Sequence, residues 1–274
     1  MTAERPEVTD DAVLNGRLRL FQPKRGHRFG HDAILLAAAT PAKPGDRIVE
    51  LGSGVGAASL ALLARIPDIH VTLIDIDPAL VALASENIAR NGFAEKARAV
   101  RLDVGAPDSV FEEAGLRAGS FDQVLMNPPF NDPSLQASPD MARRIAHVAP
   151  EETPRVWLQR AAHLLRSSGN LSLIWRADSQ QKVLRELDIA FGGITVVPVH
   201  PAPGQPPIRI LVNARKGAEK GVRNLSGLTL ADQDRRPSVD AEAILRSGLP
   251  LERAEITPSA ADVAPSSKTN GQER

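Results

Sequence analysis

The chain has no cysteine and no tyrosine. Without thiols it can form no disulfide, no thiolate zinc site, no iron–sulfur cluster and no cysteine nucleophile. Such a composition suits a reducing compartment, and a cytoplasmic location is expected. Aromatics make up only 3% of the 274 residues, seven Phe and two Trp, so the place of each one carries weight. Charge of one sign is also lacking, because 33 Lys+Arg balance 33 Asp+Glu. No global field attracts a polyanion, and any nucleic-acid contact has to come from a local patch. No apolar run approaches the roughly 20 residues of a membrane span. The opening MTAERPEVTDDAVL has acids where a secretory signal would be basic, and no apolar stretch follows. His70, His147, His163 and His200 have no ligand spacing, so no metal is expected.

Composition divides what is present into zones. Residues 1–12 are polar and expected to be a flexible N-terminus. A single domain is expected over 13–250. Within it, 13–45 hold the alternating VLNGRLRLF with an Asn15-Gly16 turn, a basic loop PKRGHR, and a small-residue helix from about His31 to Thr40. Residues 46–215 form the core, and 216–250 a C-terminal extension with the amphipathic SVDAEAILRSG. The tail 251–274, rich in Ala, Pro, Ser and Thr, is expected to be disordered.

The core alternates strand-like and helix-like segments. Strands are predicted at 47–51, 71–75, 98–102, 123–126, 170–175, 194–199 and 208–213. One helix follows from Leu80, Leu83, Ala84, Asn87 and Ile88, with Asp77 as N-cap, Pro78 in the first turn and Gly92 as stop. Another is lined by Trp157, Ala161, Leu164 and Leu165 and is expected to end near Ser168-Gly169. Strand–helix repetition gives a parallel sheet covered on both faces. HPAPGQPP, between the last two strands, is too short for a parallel crossover. The predicted fold class is α/β: a seven-stranded, mostly parallel sheet with one antiparallel C-terminal hairpin and helices on both faces.

Ligands of such sheets sit beyond the C-terminal ends of the strands. The first core strand runs into Glu50, then Gly52, Gly54 and Gly56 at alternate positions. Glycines there let the backbone turn sharply and approach a ligand closely, although a purely structural turn reads the same way. Asp75 ends the second strand, where a carboxylate can accept both hydroxyls of a ribose, and Asp103 ends the third near where an adenine would lie. The GxGxG spacing lacks the helix-packing glycine of a dinucleotide site, and Glu50 would repel a pyrophosphate. It suits a ligand with an ammonium group, a ribose and an adenine but no phosphate, which describes S-adenosylmethionine.

The fourth strand ends in Asn127-Pro128-Pro129-Phe130. The two prolines stiffen the loop and remove two N–H donors. The Asn127 side-chain oxygen and the Pro128 carbonyl can each accept a hydrogen of a planar NH₂ group, while the Phe130 ring stacks on the system bearing it. A rigid turn ending a strand is the plainer reading. The position after a fourth strand and downstream of the glycine turn favours chemistry.

ELGSGVG, Asp75 and NPPF together resemble the class I S-adenosylmethionine-dependent methyltransferases, of Rossmann-like fold, in the branch that methylates amino groups. The run from Gln22 to Ala37 and the late LTLADQDRRPSVDAEAILRSG resemble the bacterial tRNA(Val) adenine-N6 methyltransferase family. The likeness implies cofactor positions at Glu50, Gly52, Gly54, Gly56, Asp75 and Asp103. Target-amine positions are implied at Asn127, Pro128, Pro129 and Phe130. The aromatic is Phe where that family often has Tyr, and RPSVDAE lacks a usual Tyr. His31-Asp32 are expected to cap their helix or to close over the methionine end of the cofactor.

A tRNA partner requires phosphate contacts. Three basic groups are expected near the rim of the active site: Arg17, Arg19, Lys24, Arg25 and Arg28; Arg143 and Arg144; and Arg215, Lys216, Lys220 and Arg223. Other readings are methylation of a glutamine amide in a protein, methylation of a DNA or other RNA amine, and non-catalytic RNA binding on the same scaffold.

Overall fold

The structure, a computed structural model, describes residues 7–25, 28–129 and 153–251. A hairpin of β1 (Val8–Val13) and β2 (Leu18–Pro23) leads into α1 (His31–Ala39). The core follows as β3 (Arg47–Leu51), α2 (Ala57–Arg65), β4 (His70–Asp75), α3 (Pro78–Arg90), β5 (Ala97–Arg101), α4 (Asp108–Glu113) and β6 (Phe121–Met126). Its second half is α5 (Thr153–Leu164), β7 (Leu165–Arg176), α6 (Gln180–Leu187), β8 (Phe191–His200) and β9 (Arg209–Lys216). The short β10 (Val222–Asn224) and β11 (Leu228–Thr229) and then α7 (Val239–Leu245) complete the order.

The sheet runs β10-β8-β9-β7-β6-β3-β4-β5, with β11 also on β8, nine strands against the seven expected. The seven predicted strands are all present, and β9 alone runs antiparallel to its neighbours β7 and β8. The two additions hold three and two residues, too few for an alternating pattern to register. One face of the sheet packs α1, α2, α3, α7 and the hairpin through Leu20, Leu36, Leu60 and Ile244. The other packs α4, α5 and α6 through Phe111, Leu158, Leu164 and Leu187. The α3 start is as predicted, with the Asp77 side chain accepting from Ala79 N at 2.9 Å. The α5 end is not. The helix stops at Leu164, and Leu165 already pairs with Phe121; an irregularity between Phe121 and Gln123 takes up residues 166–169, where Ser168 has φ +60°.

The N-terminal boundary also needs correction. Residues 8–12, expected to be flexible, form most of β1, in register with β2 from Val8↔Pro23 to Val13↔Leu18. Two asparagines of α3 secure the hairpin. Asn87 accepts from Phe21 N at 2.7 Å and donates to Phe21 O at 2.9 Å; Asn91 accepts from Arg19 N at 3.0 Å and donates to Arg19 O at 2.9 Å. Spaced four apart, they lie one above the other on α3 and pair the open edge of β2 as a neighbouring strand would. The expected disordered tail at 252–274 lies outside the described residues.

Candidate active site

Strand register brings the predicted residues together. Leu51 of β3 is opposite Met126 of β6 on one side and Ile74 of β4 on the other. The next residues on the three strands, Gly52, Asn127 and Asp75, therefore leave the sheet side by side at its C-terminal edge, about 5 Å from strand to strand. Asp103 lies two residues past the β5 partner of Asp75, is exposed, and accepts from Gly105 N at 2.8 Å.

The three glycines all have positive φ, from +56° to +88°, for different reasons. A Cβ on Gly56 would lie 2.5 Å from Leu73 Cδ2, and one on Gly52 would overlap the Trp157 indole. Of the three, only Gly54 would have its Cβ in open space, with nothing within 4 Å among the described residues. Two of the glycines thus make room for protein, and the middle one faces open space. The turn is held from below by Asp75, whose Oδ2 accepts from Gly54 N at 2.8 Å while Oδ1 accepts from Asp77 N at 2.8 Å. The carboxylate expected for a ribose thus serves to shape the glycine turn.

Glu50 is buried, and its Oε2 accepts the Ser59 backbone N–H at 3.0 Å and the Ser59 hydroxyl. It thereby receives the first turn of α2, where N–H groups need acceptors. Burial pushes its carboxyl up to about 7; the two Ser59 hydrogen bonds pull the other way and the nearby Asp75 charge adds to the rise.

Asn127 is half-buried with Oδ1 fully enclosed, and that oxygen has no hydrogen-bond partner among the described residues. Pro128 behind it is buried and Pro129 is exposed. An enclosed acceptor left without a donor costs about 1–3 kcal/mol, so it signals a ligand or a purpose. Phe130, Arg143 and Arg144 lie outside the described residues.

The first basic cluster is largely neutralised. Arg19 meets Asp10 at 2.8 Å, Lys24 meets Glu7 at 3.4 Å and Arg28 meets Asp11 at 3.1 Å; Arg17 donates to Ser247 O. Asp10 and Asp11 are on β1, and Glu7 stands just before it, in the segment expected to be flexible. Arg25 is exposed. Three residues of the third cluster are at the other end of the sheet. Because β9 runs antiparallel, Lys216 at its finish is opposite Phe191 at the start of β8. Arg215, Lys216 and Lys220 therefore lie toward the N-terminal edge, away from the glycine turn. Arg223, on the outer strand β10, is opposite Thr195 and so level with Leu125 across the sheet. His31 opens α1, but Gly30 is the N-cap, without a side-chain hydrogen bond; Asp32 instead pairs with Arg209 at 2.8 Å.

A cavity of about 350 Å³ opens at that same N-terminal edge, among Arg47, His70, Lys96, Arg98 and Phe121. None of the predicted site residues lines it. Among the described residues no group of three or more His, Asp or Glu could hold a metal ion, and no helix is long and apolar enough to cross a membrane.

Sequence reasoning placed Trp157 only on the packing face of a helix. The structure carries its ring to the glycine turn, a contact across 105 residues (52 to 157) that no local pattern could show. It also overlooked Arg160, whose guanidinium donates to Val104 O, Ala106 O and Asp108.

Residues 28–200 match the family model described as methyltransferase small domain. A tRNA1(Val) (adenine(37)-N6)-methyltransferase of Bacteroides thetaiotaomicron is 28% identical over 165 residues, 60% of this chain and just under two thirds (66%) of that one. The protein of the same name from Parabacteroides distasonis is 28% identical over 203 residues, 72% of this chain and 80% of its own. Among solved structures, a predicted O-methyltransferase of Agrobacterium tumefaciens is 26% identical, covers 80% of this chain and 97% of that one, and has a TM-score of 0.68. The Thermus thermophilus 16S rRNA N2 G1207 methyltransferase shares the fold at 19% identity and a TM-score of 0.50, over 78% of this chain and 46% of its own.

Proposed function

Because the chain belongs to the methyltransferase small domain family, we propose that it methylates the exocyclic N6 amine of an adenine in tRNA, in the cytoplasm, with S-adenosylmethionine as donor. The observation that carries the reading is the enclosed Oδ1 of Asn127, without a partner among the described residues, on the strand next to the one that feeds the glycine turn. The donor set fits the cofactor: an open Gly54, and Glu50 and Asp75 as buried carboxylates where a cationic ligand would lie. Glu50, Gly52, Gly54, Gly56, Asp75 and Asp103 would hold it. When bound, it supplies an electrophilic methyl on a sulfonium.

The protein supplies position and polarity. The lone pair of an adenine amine is delocalised into the ring, so the nitrogen is a weak nucleophile. Asn127 Oδ1 and the Pro128 carbonyl accept its two hydrogens and turn the nitrogen toward the glycine turn. Both acceptors gain strength as positive charge grows on that nitrogen, which is stabilisation of the transition state over the ground state. Phe130 stacks on the base. No strong general base is required, since a methylated ammonium gives its proton to water. An adenine has to leave its stack to reach Asn127, which is easiest in a single-stranded loop. An oxygen substrate would leave one acceptor without a hydrogen, so this pair of acceptors favours nitrogen.

The test is incubation with labelled S-adenosylmethionine and either total tRNA or total protein, followed by nucleoside and amino-acid analysis. Label in N6-methyladenosine of tRNA is expected. Label in glutamine of protein would overturn the substrate, and label in neither would overturn the activity.

A further inference from the structure

We propose that Trp157 is the aromatic wall of the cofactor pocket and that Arg160 positions it there. The inference rests on the reading of the glycine turn as the S-adenosylmethionine site and adds a contact residue to it.

Trp157 is on the second turn of α5, beside Leu158 and Ala161, which are buried. The Trp itself is half-buried. Its indole reaches off the core so that a Cβ on Gly52 would lie 3.0 Å from Cζ3 and 3.6 Å from Cζ2, and closer still to Cη2. In a chain with two tryptophans, one is thus spent against the backbone of the turn that shapes the ligand space. The preceding residue faces the other side of the same crevice: a Cβ on Gly105 would lie 3.9 Å from Val156 Cγ1 and 3.5 Å from Asp103 Oδ1. The start of α5 therefore spans from the end of β3 to the loop after β5, covering the ground between Gly52 and Asp103.

That placement is fixed. Arg160, three residues along and so on the same face as Trp157, is only 10% exposed in its side chain. Its Nε donates to Val104 O at 3.1 Å, a terminal nitrogen donates to Ala106 O, and the other meets Asp108 at 2.6 Å; its Cζ lies 4.0 Å from the Phe111 ring centroid. One guanidinium thus ties α5 to the loop carrying Asp103 and fixes the stretch of helix from which the indole reaches the turn. A rigid aromatic face beside an open glycine suits the flat, cationic parts of S-adenosylmethionine.

The test uses the full chain and S-adenosylhomocysteine. In Trp175→Phe, Trp157 is the only emitter, and its fluorescence is expected to change and saturate at the concentration at which calorimetry shows binding. Trp157→Phe should bind within about threefold of the wild type, and Trp157→Ala about tenfold more weakly. Calorimetric binding with unchanged Trp157 emission, or wild-type affinity in Trp157→Ala, would overturn the inference while leaving the cofactor reading intact. No calorimetric binding by the wild type would instead overturn the reading of the glycine turn, and this inference with it. If Trp175→Phe does not fold, the emission difference between the wild type and Trp157→Phe gives the same readout.

Discussion

At the C-terminal edge of β3, β4 and β6, Glu50 and Asp75 are buried and accept from backbone N–H groups and the Ser59 hydroxyl, while the enclosed Oδ1 of half-buried Asn127 has no partner among the described residues. At the opposite edge of the same strands, Arg47 lies 5.6 Å from the Phe121 ring, Arg98 donates to Ala114 O and Lys96 pairs with exposed Asp68, all around a cavity of about 350 Å³. The charges at this edge are met by protein partners or by water. The other edge has polar groups that folding withdraws from solvent. The cavity and the isolated polar groups thus fall at opposite edges of the sheet.

The sharpest way to break this contrast is at Asn127. Asn127→Ala removes the side-chain acceptor for the amine, and methyl transfer at saturating cofactor should fall by roughly 10²–10³-fold. Affinity for S-adenosylhomocysteine should stay within about threefold, since the proposed role of Asn127 is to bind the target amine and not the cofactor. Single-turnover rates beside calorimetry check both, and full activity in the variant would remove Asn127 from the mechanism.

Asp75→Ala should damage the fold as well as the ligand site, because it strips an acceptor from Gly54 N–H and another from Asp77 N–H. At about 1–3 kcal/mol for each unpaired donor, less what water recovers, a loss near 2–4 kcal/mol in urea unfolding is expected. A variant as stable as the wild type would mean that the turn needs no such anchor.

Legibility followed the locality of each feature. Glycines at 52, 54 and 56, the acid at 75 and the NPP run were readable because chemistry and backbone geometry restrict which residue types can stand there. The strand β1 was not, because VTDDAV looks like solvated chain until Asp10 and Asp11 meet Arg19 and Arg28 across the hairpin. That single miss left the basic cluster seeming unopposed; Asp10, held near 2 by its hydrogen bonds to Arg19 and Arg90, is firmly ionised against it. The misplacement of Arg215 and Lys216 had a different origin. The antiparallel hairpin was legible, and a strand running backwards ends at the far edge. Trp157 on Gly52 could not be seen, since the contact joins two loops' worth of fold.

Glu50 gives a smaller and pH-dependent test. With its carboxyl raised to about 7 by burial, the native chain keeps a proton that the unfolded chain releases near its ordinary value of 4.5. Its contribution is present in full below 4.5 and is lost as pH rises through about 7. Glu50→Gln should remove that slope, narrowing the stability gap between pH 5 and pH 8 by on the order of 2 kcal/mol in urea unfolding. An unchanged gap would show that the buried carboxyl titrates like a free one.

The smallest effect is expected at the N-terminal edge, where it tests the other half of the contrast. Arg215 and Lys220 are exposed there, on β9 and in the loop after it, toward the end of the sheet opposite Asn127. An RNA loop presenting an adenine at the C-terminal edge has no need to reach them. The double variant Arg215→Ser/Lys220→Ser should therefore methylate tRNA within about twofold of the wild type. The dependence of the rate on salt should also keep its slope, because each phosphate contact removed would lower that slope by roughly 0.7–0.9. A drop in slope of about two, with a matching loss of rate at moderate salt, would show that the RNA wraps the sheet from edge to edge. Recognition would then lie at the end that does no chemistry, and the cations around the cavity would belong to the substrate's path.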